Sequence, residues 1–137
     1  MTSTYNDIRQ AIEARISTEM ASAPAYQVSF ENVPFTPPNN STWVKAQIRF
    51  GANNYATLLG PATGSNRQAG ILVINVFSPI GVGTGDNLTV AERLKDLFDR
   101  KTVSQIIFEA ADGPVFVEAA APASFFQTEL AITFDAF

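Results

Sequence analysis

The sequence predicts an α+β fold in which two amphipathic helices pack on a mainly antiparallel β-sheet, with a long projecting loop or hairpin. Two segments carry apolar residues at three- and four-residue steps, and several others alternate apolar with polar residues. The 137 residues show no internal repeat and no linker. We therefore expect a single domain over residues 1–137.

The first element is a helix over residues 4–20. Thr4 is placed to cap its start, and Asp7 follows three residues later in an acidic variant of the capping box. Pro24 ends the helical segment. One apolar stripe should face the core, formed by Tyr5, Ile8, Ile12, Ile16 and Met20.

Two strands are expected next, separated by the proline-rich stretch "NVPFTPPNNS". The first covers Tyr26–Glu31, and the second covers Trp43–Phe50, where apolar and polar residues alternate. Alternation predicts a strand with one buried face. The buried face should hold Val44, Ala46, Ile48 and Phe50, and the opposite face Trp43, Lys45, Gln47 and Arg49.

Residues 51–68, "GANNYATLLGPATGSNRQ", predict a long exposed loop or a projecting hairpin. They are rich in Gly, Asn and small polar residues, and Tyr55–Leu59 favours a short strand within them. Loops of this length in compact domains are usually functional or disordered. Ala69–Phe77 is nearly all apolar, which predicts a central strand covered on both faces.

Residues 81–85 form a glycine-rich turn before a second amphipathic helix, residues 89–100. A phosphate-binding loop would need a third glycine where Asp86 stands, or a lysine directly before the helix, which is missing. We interpret the segment as a strand-to-helix corner. Thr89 and Glu92 are spaced as a capping box at the start of the helix.

The C-terminal part predicts three strands. Val103–Glu109 and Pro114–Ala120 should form a hairpin, because Asp112-Gly113 between them is a strong turn signal. The last strand covers Phe125–Phe134. One of its faces should hold Phe126, Thr128, Leu130, Ile132 and Phe134.

The chain contains neither His nor Cys, which removes thiolate catalysis, Cys-ligated metals and the commonest general base. Carboxylate sites for Mg²⁺ or Ca²⁺ remain open. Glu92, Asp96 and Asp99 share one helix surface, where they form either such a cluster or a solvated face. Glu118 and Glu129 lie on predicted strands and could flank one another. We expect no cofactor and no metal.

The charge and hydropathy of the chain argue against two classes of partner, nucleic acid and membrane. A net charge of −4 argues against nonspecific nucleic-acid binding, which requires a basic surface. No apolar run approaches the roughly 20 residues of a membrane span, and the polar N-terminus has no signal-peptide core, so no membrane partner is expected.

Two exposed regions are candidates for protein–protein contacts. The first is the polar face of the strand at 43–50, where Trp and Arg would suit a contact and a plain solvent-facing surface is the alternative. The second is the loop over residues 52–68. The candidate contact residues are Trp43, Lys45, Arg49, Asn54, Tyr55 and Arg67.

Several stretches in order resemble phage tail terminator proteins of long-tailed phages. They are "TYNDIRQAIEARI", "FENVPFTPP", "GSNRQAGILVINVFSPIGVGTG" and "AERLKDLF", which together span about residues 4 to 100. The resemblance implies an α+β subunit without catalytic residues. It also implies a six-membered ring that caps the tail tube, stops its polymerisation and offers a surface for joining the head.

The resemblance further implies which partners and which location to expect. The partners are other copies of the chain in the ring, the tail tube protein and a head-completion or neck protein, with DNA only passing through. The protein would be made in the host cell cytoplasm and would lie in the virion, at the head-proximal end of the tail.

Two alternatives stay open. One is a head–tail neck or completion protein of related fold, which would differ in its partner. The other is a small metal- or nucleotide-dependent hydrolase that uses Asp86 and neighbouring carboxylates.

Overall fold

The computed structural model describes residues 3–38, 40–55, 66–117 and 125–137. These residues form two helices and seven strands. The helices are α1 (Tyr5–Ala21) and α2 (Gly85–Phe98). The strands are β1 (Gln27–Phe30), β2 (Trp43–Tyr55), β3 (Asn66–Pro79), β4 (Thr102–Val103), β5 (Ile106–Phe108), β6 (Asp112–Val117) and β7 (Phe125–Ala136).

Helix α1 begins as the sequence predicts. The Thr4 side chain accepts a hydrogen bond from the Asp7 backbone N–H, and the Asp7 carboxylate accepts one from the Thr4 N–H, so the capping box is confirmed. The predicted stripe is buried at its four later positions, from Ile8 to Met20. Tyr5 differs: it lies 58% exposed, with its ring edge against Phe50.

The strands build one curled half-barrel sheet, confirming the predicted α+β class. The order across the sheet is β1-β2-β3-β7-β5-β4, and β6 also pairs with β7. The β1–β2 pair is parallel and every other pair is antiparallel.

Strands β2 and β3 form a long hairpin that stays paired out to Tyr55 and Asn66. The predicted projecting element is therefore a hairpin. Both strands are longer than predicted, and a register shift between Phe50 and Asn53 interrupts their ladder. In the predicted strand Tyr55–Leu59, residues 56–59 lie outside the described residues.

Strand β7 organises the C-terminal part. One edge of β7 pairs with β3, and the other pairs with β5 near Ala136 and with β6 near Gln127. Strands β5 and β6 thus lie end to end along one edge. The predicted hairpin across Asp112-Gly113 is wrong, because β5 and β6 each pair with β7 and not with each other.

The core lies between the helices and one face of the sheet. Alternate residues of β2, β3 and β7 point to this side and are buried, as predicted for the last strand from Thr128 to Phe134. Phe50 departs from its predicted burial: it is 41% exposed, beside Tyr5 at the start of α1. The residues contributed by these strands are Val44, Ala46, Leu72, Ile74, Val76, Leu130, Ile132, Phe134 and Ala136.

Helix α2 starts four residues earlier than predicted, at Gly85. Thr89 lies inside it, where its hydroxyl donates a hydrogen bond to the Gly85 carbonyl, so the predicted capping box with Glu92 is wrong. Arg93 joins the two helices by donating to the Glu19 carboxylate and carbonyl and to the Pro24 carbonyl.

Candidate functional site

The sheet face turned away from the helices, here called the open face, holds a cleft lined by both polar and apolar side chains. The cleft has a volume of about 820 Å³. Its residues come from alternate positions of β2, β3 and β7, namely Trp43, Lys45, Gln47, Arg49, Ile71, Val73, Asn75, Phe77, Gln127, Glu129 and Ala131. The predicted alternation of β2 is thus correct in register, with Lys45, Gln47 and Arg49 on the side away from the core.

Trp43 is not the exposed tip that the sequence predicted, since only 4% of its surface is accessible. Its ring stacks on Phe77 at 4.2 Å between centroids and also contacts Phe35 and Phe125. Phe35 comes from the proline-rich segment, which therefore covers this end of the open face. The alternation within one strand could not predict this burial, because the aromatic residues that cover Trp43 come from other strands and from the proline-rich segment.

The other predicted contact residues are exposed or half-buried. Lys45 and Arg49 lie on the open face of β2, on either side of Gln47. Asn54 and Arg67 are register partners in the β2–β3 hairpin, and the Tyr55 side chain is 87% exposed at its described end. The structure therefore separates these residues into two groups, one on the open face and one on the hairpin.

Arg67 is held by the neighbouring strand. Its guanidinium contacts the Asp135 carboxylate at 2.9 Å and donates a hydrogen bond to it. That hydrogen bond and the charge of Asp135 raise the pKa of Arg67, and the charge of Glu109 adds to the effect. Arginine is a cation at every ordinary pH even without such a shift. The contact with Asp135 therefore serves to hold the hairpin against β7.

The glycine turn lies at the opposite end of the sheet from the hairpin. Strand β3 joins the two over 14 residues, which is about 45 Å at 3.3 Å per residue. Gly81 and Gly83 have φ angles of 93° and 82°, which only glycine adopts easily. Asp86 lies in the first turn of α2, so the helix already carries a carboxylate at its N-terminus.

An apolar hollow of about 540 Å³ adjoins this turn, and sequence reasoning missed it. Ile80 is 64% exposed beside it, and Val117, Phe125 and Phe126 line it. The sequence did contain a signal for this exposed apolar surface, because the apolar residues Ile80 and Val82 lie among the glycines of the turn.

The carboxylates that the sequence offered as possible metal ligands or catalytic groups lie in different environments. Glu92 and Asp96 are exposed on α2, whereas Asp99 accepts a hydrogen bond from the Ala111 N–H at 2.7 Å. Glu129 pairs in register with Asn75 and Val115, and Glu118 lies outside the described residues. No group of three His, Cys, Asp or Glu residues that could hold a metal ion occurs in residues 3–38, 40–55, 66–117 and 125–137.

Both lateral edges of the sheet carry unpaired strand segments. Strand β1 covers only Trp43–Ala46 of β2, so the outer edge of β2 after Ala46 has no strand partner within the described part of the chain. There the Ile48 N–H donates to the Glu31 carboxylate at 2.8 Å. At the other side of the sheet, β4 and β6 are the outermost strands. Unpaired edges are templates for pairing with another chain.

No helix among the described residues has the length and hydropathy needed to cross a membrane.

Comparison with known families shows to which family the chain is related. A family model described as "Phage tail terminator protein" matches residues 7–112. The chain belongs to the phage tail terminator protein family. A tail terminator is a phage structural protein, and membership implies a component of the virion.

A solved structure is similar to this tail terminator family member over nearly its whole length. The match covers 98% of this chain and 96% of the other, with a TM-score of 0.71 and 25% sequence identity. Among curated proteins, no match is found. The resemblance that the sequence suggested, and the α+β fold expected from it, are both confirmed.

Proposed function

We propose that this protein ends the phage tail tube: copies assemble into a ring that caps the tube, stops its polymerisation and provides the surface to which the head joins. The match of residues 7–112 to the tail terminator family carries this proposal. The ring would lie at the head-proximal end of the tail, and the protein would work by assembly, without catalysis.

The shape of the subunit supports assembly into a ring. Its sheet has two different lateral edges, β1–β2 on one side and β4 and β6 on the other. A contact between two different edges is head-to-tail, and head-to-tail contacts close into rings when the rotation between neighbours permits.

The two ends of the subunit also differ. One end carries the β2–β3 hairpin with the exposed Tyr55, and the other carries the glycine turn with the apolar hollow beside Ile80. A ring of such subunits has two unlike faces. We assign the hairpin face to the tail tube, because a paired extension that projects from the subunit can reach a neighbouring ring.

Charge supports passage of DNA through the ring. The net charge of −4 gives little attraction for a polyanion. A strongly basic channel would instead hold the DNA by releasing its counterions.

The test is electron microscopy of the protein mixed with its own tail tube protein. The proposal predicts rings at tube ends and a fixed or shortened distribution of tube lengths. Tubes that grow as long with the protein as without it would contradict the proposal. Binding to a neck or portal component with no effect on tube length would instead favour a head–tail completion role.

A further inference from the structure

The unpaired edge of β2 carries one cation and one carboxylate on opposite sides of the sheet. Arg49 lies on the open face, whereas Glu31 lies on the helix side, close to Arg9 of α1. Arg49 is exposed, and the Glu31 carboxylate accepts a hydrogen bond from the adjacent Ile48 N–H. Within the described residues, no ion pair joins Arg49 or Glu31 to a partner. We name Arg49 and Glu31 the near pair.

A second pair of opposite charges lies on the other edge. The Glu109 N–H donates to the Thr133 carbonyl at 2.9 Å, and the Arg100 N–H donates to the Glu109 carbonyl at 3.2 Å. Glu109 is exposed, and 79% of the Arg100 side chain is accessible, with one distant contact at 4.0 Å to Asp99. We name Glu109 and Arg100 the far pair.

The register of the sheet places the two pairs at the same level along the strands. Arg49 is the register partner of Ile71, and Ile71 is the register partner of Thr133. The Thr133 carbonyl accepts the hydrogen bond from the Glu109 N–H. Glu109 follows the buried Phe108 and so points to the open face, as Arg49 does.

The position of a residue along the ring axis decides which residues of neighbouring copies can meet. Rotation about that axis changes the direction in which each copy faces but leaves the position of every atom along the axis unchanged. When the strands run along that axis, residues of equal level on the two edges meet between neighbours. Arg49 then faces Glu109, and Glu31 faces Arg100, so each contact joins opposite charges. Complementary charges of this kind set the register and the choice of partner.

We propose that the near pair of one copy docks against the far pair of the next copy, and that these contacts fix the subunit register of the ring. The occupant of each edge is a second copy of this chain. The inference rests on the proposed function, because it assumes a head-to-tail ring in which the strands run along the ring axis.

Charge reversal tests the proposal. Arg49→Glu and Glu109→Arg each place like charges at the contact, and each should raise the protein concentration needed to cap half of the tube ends by about tenfold or more. Capping is counted in electron micrographs of variant mixed with tail tube protein.

Mixing the two variants gives the sharper result. In a ring with an even number of subunits, alternating Arg49→Glu and Glu109→Arg chains have complementary charges at every contact. An equal mixture should therefore cap tubes at a concentration within about threefold of wild type, as should a chain carrying both changes. Glu92→Arg is the matched control, since Glu92 is exposed on α2, which packs on the inner strands β3 and β7, and it should cap like wild type.

The outcomes separate the two proposals. Single variants that cap like wild type, or a mixture that stays defective although both variants are folded by circular dichroism, would overturn the charge contact and leave tube capping intact. Wild-type protein that never caps tubes would overturn the proposed function itself. Because Glu109 lies near Arg67, a Glu109→Arg chain that does not fold is replaced by the second contact, Glu31→Arg with Arg100→Glu.

Discussion

Gly70 lies in β3 directly beneath the ring of Phe134 on β7. A Cβ at this position would lie 2.8 Å from Phe134 Cε2 and closer still to Cζ. The ring is fully buried and contacts Phe50 and Phe108, so it has little room to move. Gly70 is thus required by packing, not by its backbone angles.

Gly70→Ala should lower the free energy of unfolding by about 1–3 kcal/mol, the usual cost of overpacking a core. Urea denaturation measures the effect. Gly51→Ala is the matched control in the neighbouring strand, because its Cβ would meet Ala69 at ordinary distances of 3.6 Å or more. Equal stability of Gly70→Ala and Gly51→Ala would contradict the packing account.

Asn87 is the buried polar residue that ties α2 to the sheet. It is fully buried, and its Nδ2 lies 3.1 Å from the Val76 carbonyl, 3.2 Å from the Phe126 carbonyl and 3.0 Å from Thr128 Oγ1. Two amide hydrogens serve three acceptors, so one hydrogen is shared. The contact fixes the start of α2 against β3 and β7.

Asn87→Ala should therefore destabilise the protein by about 1–3 kcal/mol, since it leaves buried acceptors without a donor. Thermal unfolding followed by circular dichroism measures this loss. Asn54→Ala, at an exposed hairpin position, should change the midpoint little. A midpoint for Asn87→Ala that matches Asn54→Ala would show that water replaces the amide without cost.

The sequence revealed little of these residue contacts. Alternation identified the two faces of β2 correctly. It could not tell that Phe35, Phe77 and Phe125 would cover Trp43, because those contacts join residues far apart in the chain. The local pattern around Asn87 predicted no role for it, because its hydrogen-bond partners lie on β3 and β7.

At the scale of elements, local signals predicted best. Helix α1 has its capping box, its stripe and its proline within one short segment, so its limits were predicted to within a residue. Helix α2 was placed four residues late, because Thr89 and Glu92 imitate a capping box inside the helix. The wrong hairpin at Asp112-Gly113 has a long-range cause, since both of its strands pair with β7.

The capping box of α1 gives a pH prediction. Hydrogen bonds from the Thr4 backbone N–H and side chain lower the pKa of Asp7 below its usual 3.8. Since the unfolded chain then binds the proton more readily, the contribution of Asp7 to stability is present above pH 3.8 and is lost as the pH falls through the folded-state pKa.

Asp7→Asn should accordingly be less stable than wild type near neutral pH, with a gap that narrows as the pH falls below 3.8. Urea denaturation of both proteins from about pH 6 to pH 2 measures the gap. Thr4→Ser keeps the hydroxyl acceptor and should follow the wild-type curve. A gap that does not change with pH would contradict the role of the ionised carboxylate.

At the scale of the whole molecule, composition and periodicity were enough to predict two helices on a mainly antiparallel sheet, and the order of four segments was enough to suggest the family. They could not predict which strands would remain at the edges. That follows from strand pairing across the whole chain, with β5 and β6 sharing one edge of β7 and β1 covering only part of β2.

In the proposed assembly, the edges of the sheet contact neighbouring copies and the hairpin end of the subunit contacts the tail tube. The central claim is that the protein terminates the tail tube, and the most direct measurement is the length distribution of tubes polymerised from the tail tube protein with and without it. The account predicts capped ends and tubes that stop growing once the protein is added. Tubes of unchanged length, with no protein at their ends, would contradict it.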